Sequence, residues 1–441
     1  MMPDETGRGA NRRSFDRSDA IFAEVAGRIP LASQTFSKSH QQWPRRAAPL
    51  FLTHGKGARV HDVDGNVYID YLQGLMANIL GYCDVDVDAA IRDQIDRGFS
   101  FSLPTTLEDD LAERLIRLIP CAEMVRFGKN GSDATTAAIR VARSVTGRDK
   151  VAVCGYHGWH DWYIGTTTRD GGVPESVRQL SSAFAINDAE AITDVLTADP
   201  NGYAAVILEP GGAVPLKAGF LDTLRELTER FGVLLVFDEI VTGFRVDIGG
   251  AQKRHGVTPD LACFGKAMSN GMPISALVGR RDLMMELEDV FFSGTSGGEA
   301  LSIAAAIATI DKIEKHGVTA RLWQLGDDSM QECNAAFRRH GLGGTLSFGG
   351  EAWWPRLAMT DLPVHPLLMT SLLRQEFVAE GLLMAAGINL CLPHEDPTVR
   401  EETRGAFDRA AASVRAHLDA SDPRARLRGE LVQPTFSVRP S

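Results

Sequence analysis

Several features are missing from this sequence of 441 residues, and each absence excludes a class of protein. The six cysteines are scattered without any C-x-x-C pair, which is typical of reduced thiols rather than of a disulfide or zinc framework. No apolar run approaches the length that spans a bilayer, and the polar first twenty residues lack the apolar core of a secretion signal. We therefore expect a cytoplasmic protein with no membrane partner.

Concentrated positive charge is also scarce. The formal net charge is −11, and the densest basic clusters are the pairs Arg45-Arg46 and Arg280-Arg281. Because a nucleic-acid surface requires a basic patch, we expect no DNA or RNA partner. The chain has 44% apolar and 23% charged residues, without internal repeats or low-complexity linkers. This composition predicts one large α/β domain with a smaller companion.

An acid and a lysine follow two strand-like segments in the middle of the chain. The short apolar run 233–237 is typical of a central strand in a parallel sheet, and Asp238 follows it. Ligands bind at the carboxyl ends of such strands. A second run, 261–264, precedes Lys266, which stands between Gly265 and a series of small or flexible residues. We therefore expect Lys266 on a loop, with its amine directed into a cleft.

Each of these two residues also has an ordinary explanation. An isolated Asp after a strand is most often a turn residue or a helix cap, and an isolated Lys is nearly always a solvated surface charge. A phosphate-binding P-loop does not fit, because Asp260 occupies the position of its first glycine and no Ser or Thr follows the lysine. The joint pattern of acid and lysine is what favours a catalytic site.

The chain resembles a known enzyme family in three segments, FDEIVTGFR, HGVTPDL and FGKAMSNGMP. They are similar to the signature of class III aminotransferases, pyridoxal-phosphate enzymes of fold type I, and above all to the branch around glutamate-1-semialdehyde aminomutase. The acid and the lysine are 28 residues apart (266 minus 238). The resemblance implies pyridoxal 5'-phosphate as the cofactor, a Schiff base between it and Lys266, and a pairing of Asp238 with its protonated pyridine nitrogen. Partial burial would lower the pKa of Lys266 and supply the neutral amine that this bond requires.

The resemblance covers about residues 18–420 and also implies the architecture. Fold type I is an α/β fold, with a large domain in which helices flank a mostly parallel central sheet and a smaller α+β domain formed by N- and C-terminal segments. The dipeptide Asp64-Gly65, between two alternating runs, indicates a β-hairpin. We predict disorder over residues 1–16, an N-terminal helix and hairpin over 17–75, a large cofactor-binding domain over 76–310, and a small C-terminal domain with a tail over 311–441.

A candidate anion site lies where the predicted strand 124–127 turns into the predicted helix 134–146. The intervening Asn-Gly-Ser-Asp sequence offers free backbone N–H groups and a hydroxyl at a helix N-terminus, which together attract an anion. A simple Asn or Ser cap without a ligand is the alternative. The resemblance implies that Gly131 and Ser132 bind the cofactor phosphate, whereas Asp133 holds the loop.

The resemblance implies roles for three more residues. Tyr156 would lie flat against one face of the pyridine ring and Ile240 against the other. Thr295 would reach the phosphate bound by the partner subunit, which implies a homodimer with shared active sites. Glu209, after the predicted strand 203–208, is expected only to line the site.

A metal is the alternative explanation for two histidines near Tyr156. His157 and His160 have the chemistry of ligands, but no further Cys, His or acidic residue stands at a recognisable zinc spacing. We therefore predict no metal.

Transamination is the reaction that this pattern favours. Lys266 would act as base and acid while an amino group moves from a donor amino acid, glutamate by default, to a keto or aldehyde acceptor in ping-pong order. A weaker similarity to aminotransferases of sugar and secondary-metabolite synthesis suggests an acceptor of that kind. The predicted partners are therefore a small-molecule amino donor and a carbonyl acceptor.

The main alternative is an isomerase of the aminomutase kind, in which both amine positions lie on one substrate. The substrate pocket departs from that enzyme, because His40 takes the place of its carboxylate-binding Arg and Gly74-Leu75-Met76 replaces a Ser-Trp-Gly segment. Residues 389–396 also replace a different motif, although Arg356 could supply a cation from elsewhere. A decarboxylase, a racemase and a non-catalytic cofactor-binding protein are further alternatives.

Overall fold

The computed structural model of the chain describes residues 13–212, 214–435 and 437–438. Its strands are β1 (Leu52–Lys56), β2 (Arg59–Asp62), β3 (Val67–Asp70), β4 (Met124–Gly128), β5 (Lys150–Cys154), β6 (Ser181–Ala183), β7 (Tyr203–Leu208), β8 (Leu234–Glu239), β9 (Leu261–Phe264), β10 (Ser275–Gly279), β11 (Leu346–Gly349), β12 (Arg356–Met359) and β13 (Leu382–Leu383). Its α-helices are α1 (Asp16–Val25), α2 (Gln73–Met76), α3 (Val85–Arg97), α4 (Thr106–Leu118), α5 (Gly131–Thr146), α6 (Asp161–Ile164), α7 (Glu175–Arg178), α8 (Ala189–Ala198), α9 (Phe220–Phe231), α10 (Gly250–His255), α11 (Arg281–Met284), α12 (Ala300–His316), α13 (Val318–Arg339), α14 (Pro366–Ala379) and α15 (Pro397–Leu418). None of the helices in these ranges combines the length and the apolar character that a bilayer span requires.

The central sheet has seven strands in the order β4-β10-β9-β8-β7-β5-β6. β10 is antiparallel to both of its neighbours, whereas β9, β8, β7, β5 and β6 pair in parallel. β7 and β9 are buried along their whole length, because the sheet packs against a hydrophobic core on each face. The prediction of an α/β fold with a mostly parallel, helix-flanked sheet is confirmed.

Alternate residues of the strands belong to two separate cores. Val151 and Val153 of β5 pack in the core that contains α5, whereas Ala152 and Cys154 belong to the core on the other face. Since both faces are covered, these strands form continuous apolar runs rather than alternating with polar residues.

The parallel strands end at one edge of the sheet, and this edge carries most of the candidate site residues. Tyr156 and His157 follow β5, Glu209 follows β7, and Lys266 follows β9. Asp238 lies within β8 rather than after it, because the strand predicted at 233–237 extends to Glu239. A ligand that binds at the carboxyl edge of this sheet would therefore meet all of these side chains.

A second sheet joins the two ends of the chain. Its order is β1-β2-β3-β13, and β13 pairs in parallel with β3 through Leu382 opposite Ile69. β2 and β3 are antiparallel around Gly65, whose φ of +84° suits glycine, so the predicted hairpin is confirmed. Residues 1–12 of the segment predicted to be disordered lie outside the described residues, whereas Arg13 donates to the Val67 carbonyl over 3.0 Å. The division into domains at residues 75 and 310 stays a prediction.

The described part of the C-terminal tail lies across the N-terminal segment and reaches the loop that follows α6. The Gln433 N–H donates to the Gln41 carbonyl over 2.8 Å. Further along, the Thr168 N–H donates to the Ser437 carbonyl over 2.9 Å, and the Ser437 N–H donates to Thr168 Oγ1 over 3.1 Å. These bonds fix the tail against the loop that follows α6.

Candidate active site

Asp238 forms a buried pair with a histidine. His157 Nδ1 lies 2.8 Å from Asp238 Oδ2, and both side chains are almost completely inaccessible to solvent. The Ile240 N–H donates to the other carboxylate oxygen, Oδ1, over 3.1 Å. Because β5 and β8 lie on either side of β7, the two residues meet across one strand. These contacts hold the carboxylate in one orientation.

Lys266 begins a 3₁₀ turn, Lys266–Ser269, shortly after β9. Its φ of +35° lies in the left-handed region, which is strained for a residue with a side chain. Burial lowers the pKa of Lys266, although the nearby carboxyl groups of Asp238 and Glu209 oppose that effect. The neutral amine is therefore favoured here more than in a solvated lysine.

Glu209 is a second buried acid at this edge. Its Oε2 accepts the Tyr156 N–H over 2.9 Å, and a Cβ at Gly155 would lie only 2.6 Å from that oxygen. Gly155 also has a φ of +108°, so the close approach and the backbone both require glycine. Burial raises the pKa of Glu209, and the negative charge of Asp238 raises it further. Glu209 is therefore protonated over a wider pH range than an exposed glutamate.

Helix α5 begins at the candidate phosphate site. Asn130 caps the helix, and the Asp133 carboxylate accepts the N–H groups of Lys129 and Asn130 over 2.8 Å each. The helix begins at Gly131 rather than at residue 134 as predicted. Gly131 and Ser132 therefore lie in its first turn, where backbone N–H groups have no partner within the helix and can bind an anion.

Close backbone approaches pack the site around Ile240 and Ser132. A Cβ at Gly131 or Gly265 would lie 3.2 or 3.1 Å from the Ile240 side chain, respectively. A Cβ at Gly158 would overlap Ser132 Oγ. The small residues thus bring the start of α5, the end of β8 and the Lys266 turn into contact.

Tyr156 and Thr295 are exposed in the single chain. The Tyr156 ring, which is 44% exposed, meets the Tyr163 ring edge to face with centroids 5.6 Å apart. Thr295 lies on an exposed loop before α12 and has no hydrogen-bond partner among the described residues. Of the predicted site residues, the structure brings together Gly131, Ser132, Asp238, Ile240 and Lys266, with Tyr156 at their rim. None of the contacts that join these residues involves Thr295.

The two histidines near Tyr156 have different partners. His157 pairs with Asp238, whereas His160 Nδ1 lies 2.6 Å from Thr136 Oγ1. Within the ranges that the structure describes, no group of three or more His, Cys, Asp or Glu side chains could hold a metal ion.

Comparisons with known proteins identify the family. The model of aminotransferase class-III matches residues 41–339. The chain belongs to the class III aminotransferases. The 3-aminobutyryl-CoA aminotransferase of Cloacimonas acidaminovorans (strain Evry) is 40% identical over 354 residues, which are 78% of this chain and 84% of that protein. The glutamate-1-semialdehyde 2,1-aminomutase of Roseiflexus castenholzii (strain DSM 13941 / HLO8) is 40% identical over 325 residues, which are 69% and 74% of the two chains.

A solved structure of a related protein extends this similarity to three dimensions. The FumI protein of Sphingopyxis sp. MTA144, solved with pyridoxal phosphate (PLP) bound, matches this aminotransferase with a TM-score of 0.87 at 29% identity. The match covers 93% of this chain and 100% of that one. The predicted family, the fold type, the cofactor and the class of PLP-dependent transaminase are therefore confirmed.

The residues of this aminotransferase fit PLP. The free N–H groups at the start of α5 suit its phosphate, and the fixed carboxylate of Asp238 suits a protonated pyridine nitrogen. Lys266 offers an amine whose pKa is lowered by burial, as a covalent bond to the aldehyde requires. Ile240, which packs against Gly131 and Gly265, is an apolar side chain that would suit one face of the ring.

The sequence patterns did not predict the contacts of two buried residues of the aminotransferase, His157 and Arg245. His157 was considered only as a metal ligand, although its position after β5, at the same edge as Asp238, is a signal for their pairing. Arg245 is completely buried and donates to the carbonyls of Met76 and Leu390, over 2.7 and 2.8 Å. Burial lowers the pKa of Arg245 to about 10, and no described acid pairs with it. No local pattern indicates this bridge, because its acceptors are distant in the chain.

Proposed function

We propose that this aminotransferase moves an amino group from a donor amino acid, with glutamate as the default donor, to a keto or aldehyde acceptor. We propose that this acceptor is an intermediate of sugar or secondary metabolism. The main support for transamination is that Lys266, whose pKa is lowered, and the fixed carboxylate of Asp238 lie at the same edge of the sheet. Lys266 is able to exchange protons, and Asp238 is able to stabilise positive charge on the ring nitrogen.

We assign separate roles in the proposed reaction to the residues of the site. Lys266 would hold the cofactor in the resting enzyme, and its amine, once free, would carry the proton from the donor carbon to the carbon that receives the amino group. Asp238, oriented by His157 and by the Ile240 N–H, places a negative charge next to the ring nitrogen. When bound, PLP accepts the amino group and delocalises the electron pair that the donor carbon leaves behind. Gly131 and Ser132 hold the phosphate at the start of α5.

The second candidate function is an aminomutase-like isomerisation. Its support is the similarity to the aminomutase of Roseiflexus castenholzii. Against it stands His40, which takes the place of a carboxylate-binding Arg. Its Nδ1 lies 3.3 Å from the Leu31 carbonyl, and its ring packs on Phe22 with centroids 4.7 Å apart. His40 is thus engaged with its own N-terminal segment.

We also propose a homodimer in the cytoplasm. Large apolar side chains are exposed on two neighbouring segments, Leu103 at 79% between α3 and α4 and Phe291 at 74% shortly before Thr295. The Ala300 N–H donates to the Phe99 carbonyl over 2.9 Å, which joins the two segments. Apolar residues that are exposed to this extent around a functional site are typical of a protein interface. Such an interface would bring Thr295 to the phosphate site of the partner subunit. The free cysteines, most of which are buried, suit a reducing compartment.

The first half of the reaction tests the proposed function. The purified holoenzyme is mixed with single amino acids in the absence of any acceptor, and both the visible band of the cofactor and the oxo acid are measured. We expect glutamate to bleach the band and to release one equivalent of its oxo acid. If no donor bleaches the band but glutamate-1-semialdehyde is isomerised without a second substrate, the enzyme is an aminomutase and the proposal is wrong.

A further inference from the structure

A chamber lies between the two 22-residue helices of the C-terminal region, α13 and α15. Its volume is about 180 Å³, and a cavity of about 150 Å³ is enough to hold one benzene molecule. The parallel rings of Tyr71 and His394, with centroids 4.3 Å apart, line its buried side. None of its described lining residues belongs to the candidate active site. The chamber is therefore a separate place in the fold, with room for about one six-membered ring.

The buried side of the chamber is otherwise apolar. Its wall is formed there by Leu325, Ala336, Met384, Ile388 and Phe407, all of which are buried. Such a wall suits a ligand with a mainly apolar surface.

The charged groups on the exposed side of the chamber neutralise one another. Three arginines line the chamber there, Arg339, Arg400 and Arg404. Arg400 pairs with Glu332 over 3.1 Å, and the other two arginines pair with acids of α15. Because each arginine already has an acid as its partner, the chamber favours an uncharged ligand over an anion.

His394 gives the wall a polar atom that has no partner. Its Nδ1 accepts the Cys391 N–H over 3.0 Å, so the proton of the neutral ring is on Nε2. Nε2 is buried and has no hydrogen-bond partner in the part of the chain that the structure describes. By contrast, Tyr71 Oη and Thr403 Oγ1 lie 2.9 Å apart and bond to each other, and Ser329 Oγ donates to a carbonyl of its own helix over 2.7 Å.

A ligand could supply the acceptor that His394 lacks. The Asp70 carbonyl is near the His394 ring but outside hydrogen-bond geometry, and it already accepts from Gln73 Nε2 over 2.7 Å. An N–H group that is buried without a partner destabilises the fold, so an acceptor atom placed at Nε2 would remove that cost.

We propose that this chamber binds a small uncharged molecule, of about the size of one six-membered ring, whose hydrogen-bond acceptor takes the Nε2–H of His394. Neutral nitrogen heterocycles, cyclic amides and lactones have this chemistry. The occupant is a free molecule rather than a protein segment, because the chamber admits about one ring and its donor lies among buried side chains. The proposal does not depend on transamination, since the chamber shares no described lining residue with that site.

Pyridine is a suitable probe, because it has the size of benzene and one acceptor atom. Saturation-transfer NMR with the holoenzyme at about pH 8, where pyridine is uncharged, gives its Kd. Ala335→Phe fills the chamber from a partly exposed position on α13 and should weaken pyridine binding at least about tenfold. Ala412→Phe, at a partly exposed alanine of α15 that does not line the chamber, is the matched control and should bind pyridine as the wild type does. Benzoate, which is charged, should bind at least about tenfold more weakly than pyridine.

The His394 ring reports the hydrogen bond itself. In holoenzyme with ¹⁵N-labelled histidine, pyridine should shift the Nε2 signal of His394, whereas benzene, which has no acceptor atom, should shift it far less. His394→Gln lacks this signal and therefore assigns it.

Three results would overturn the proposal: pyridine binding that Ala335→Phe leaves unchanged, an Nε2 signal that pyridine does not move, or benzoate that binds as tightly as pyridine. If Ala335→Phe does not fold, the Nε2 signal of the wild type decides. None of these measurements needs turnover, so pyridine bound at His394 in a protein whose cofactor band no donor bleaches would support the chamber and contradict transamination.

Discussion

Asp238 and Glu209 are neighbouring acids that differ in what holds them. Asp238 has two fixed contacts, from His157 and from the Ile240 N–H, whereas Glu209 has the Tyr156 N–H. Burial raises the pKa of Glu209, so that this side chain can be protonated where an exposed glutamate is charged. Two neighbouring acids can therefore serve different roles, with Asp238 as the charged partner that we propose for the cofactor ring and Glu209 as a neutral group at the same edge of the sheet.

The charge on Asp238 can be tested by substitution. Asp238→Asn keeps the shape of the side chain but removes the negative charge, so we expect kcat to fall about 10- to 150-fold, as for the loss of about 1.5–3 kcal/mol from a charged hydrogen bond. His157→Gln removes only the support of the carboxylate, so it should lower kcat by less than about tenfold and leave KM unchanged. Stopped-flow measurement of the glutamate half-reaction gives its maximal rate and half-saturation constant, and the expectations for kcat and KM apply to these two values. A loss for His157→Gln that equals or exceeds the loss for Asp238→Asn would contradict these roles.

Arg356 provides a second prediction at the residue scale. Its guanidinium stacks on Trp354, 4.4 Å from the ring centroid, and has no acid or hydrogen-bond partner among the described residues. Burial lowers the pKa of Arg356, as expected for a cation that lacks a counter-ion. We predict that it binds the carboxylate of the donor amino acid, so that Arg356→Gln raises KM for glutamate at least about tenfold.

The chain offers a matched control for Arg356. Arg254 also stacks on a tryptophan, Trp323, at 3.9 Å, but lies on α10. Steady-state kinetics with Arg254→Gln should give the wild-type KM for glutamate, and Arg356→Gln should keep the wild-type KM for a primary amine donor that has no carboxylate. An equal rise in KM for both donors in Arg356→Gln would show that the arginine only supports the fold.

At the scale of elements, the sequence predicted the bounds of strands that are determined by neighbouring residues. The bounds predicted for β7 and β9 agree with Tyr203–Leu208 and Leu261–Phe264, because each is a short apolar run with clear ends. The start of α5 was predicted too late, since Asn130 caps the helix before Gly131 and Ser132 instead of after a longer turn.

Contacts between distant segments account for what the sequence could not predict. The residues of α2 have positive φ values, including +64° at Leu75, and this left-handed turn ends at Met76, whose carbonyl accepts from Arg245. No periodicity indicates such a turn, because a buried arginine on another segment stabilises it. The pairing of His157 with Asp238 likewise depends on the order of the strands.

The turn Leu392–Glu395 gives a prediction about pH. His394 Nδ1 accepts the Cys391 N–H over 3.0 Å, and its ring stacks on Tyr71 with centroids 4.3 Å apart. Burial lowers the pKa of His394 from 6.5 to about 3. Below pH 6.5 the unfolded chain therefore binds a proton that the folded chain does not bind until about pH 3, and stability is lost as the pH falls.

A substitution isolates this contribution. Between about pH 7.5 and about pH 5.5, the free energy of unfolding of the wild type should fall by about 1.4 kcal/mol more than that of His394→Gln, which has no titrating ring. Urea denaturation at the two pH values measures the difference. Equal losses in the two proteins would show that His394 titrates in the folded state as it does in the unfolded chain.

At the scale of the whole molecule, the proposed homodimer makes the active site depend on assembly. Leu103→Glu places a charge on the exposed apolar surface that we assign to the dimer interface, so we expect monomers in analytical ultracentrifugation and at least about tenfold weaker binding of PLP. Val145→Glu, at an exposed valine at the other end of α5, is the control and should remain dimeric. A Leu103→Glu variant that stays dimeric, or a monomer with unchanged PLP affinity, would contradict this prediction.

The attachment of the cofactor tests the central claim most directly. The holoenzyme is reduced with borohydride and digested, and mass spectrometry locates the pyridoxyl group on the peptides. We predict a single label, on the peptide that contains Lys266, with the same result for Lys253→Ala and no label for Lys266→Ala. A label on a different lysine, or an unlabelled Lys266 in a protein that has bound PLP, would contradict the assignment of the active site.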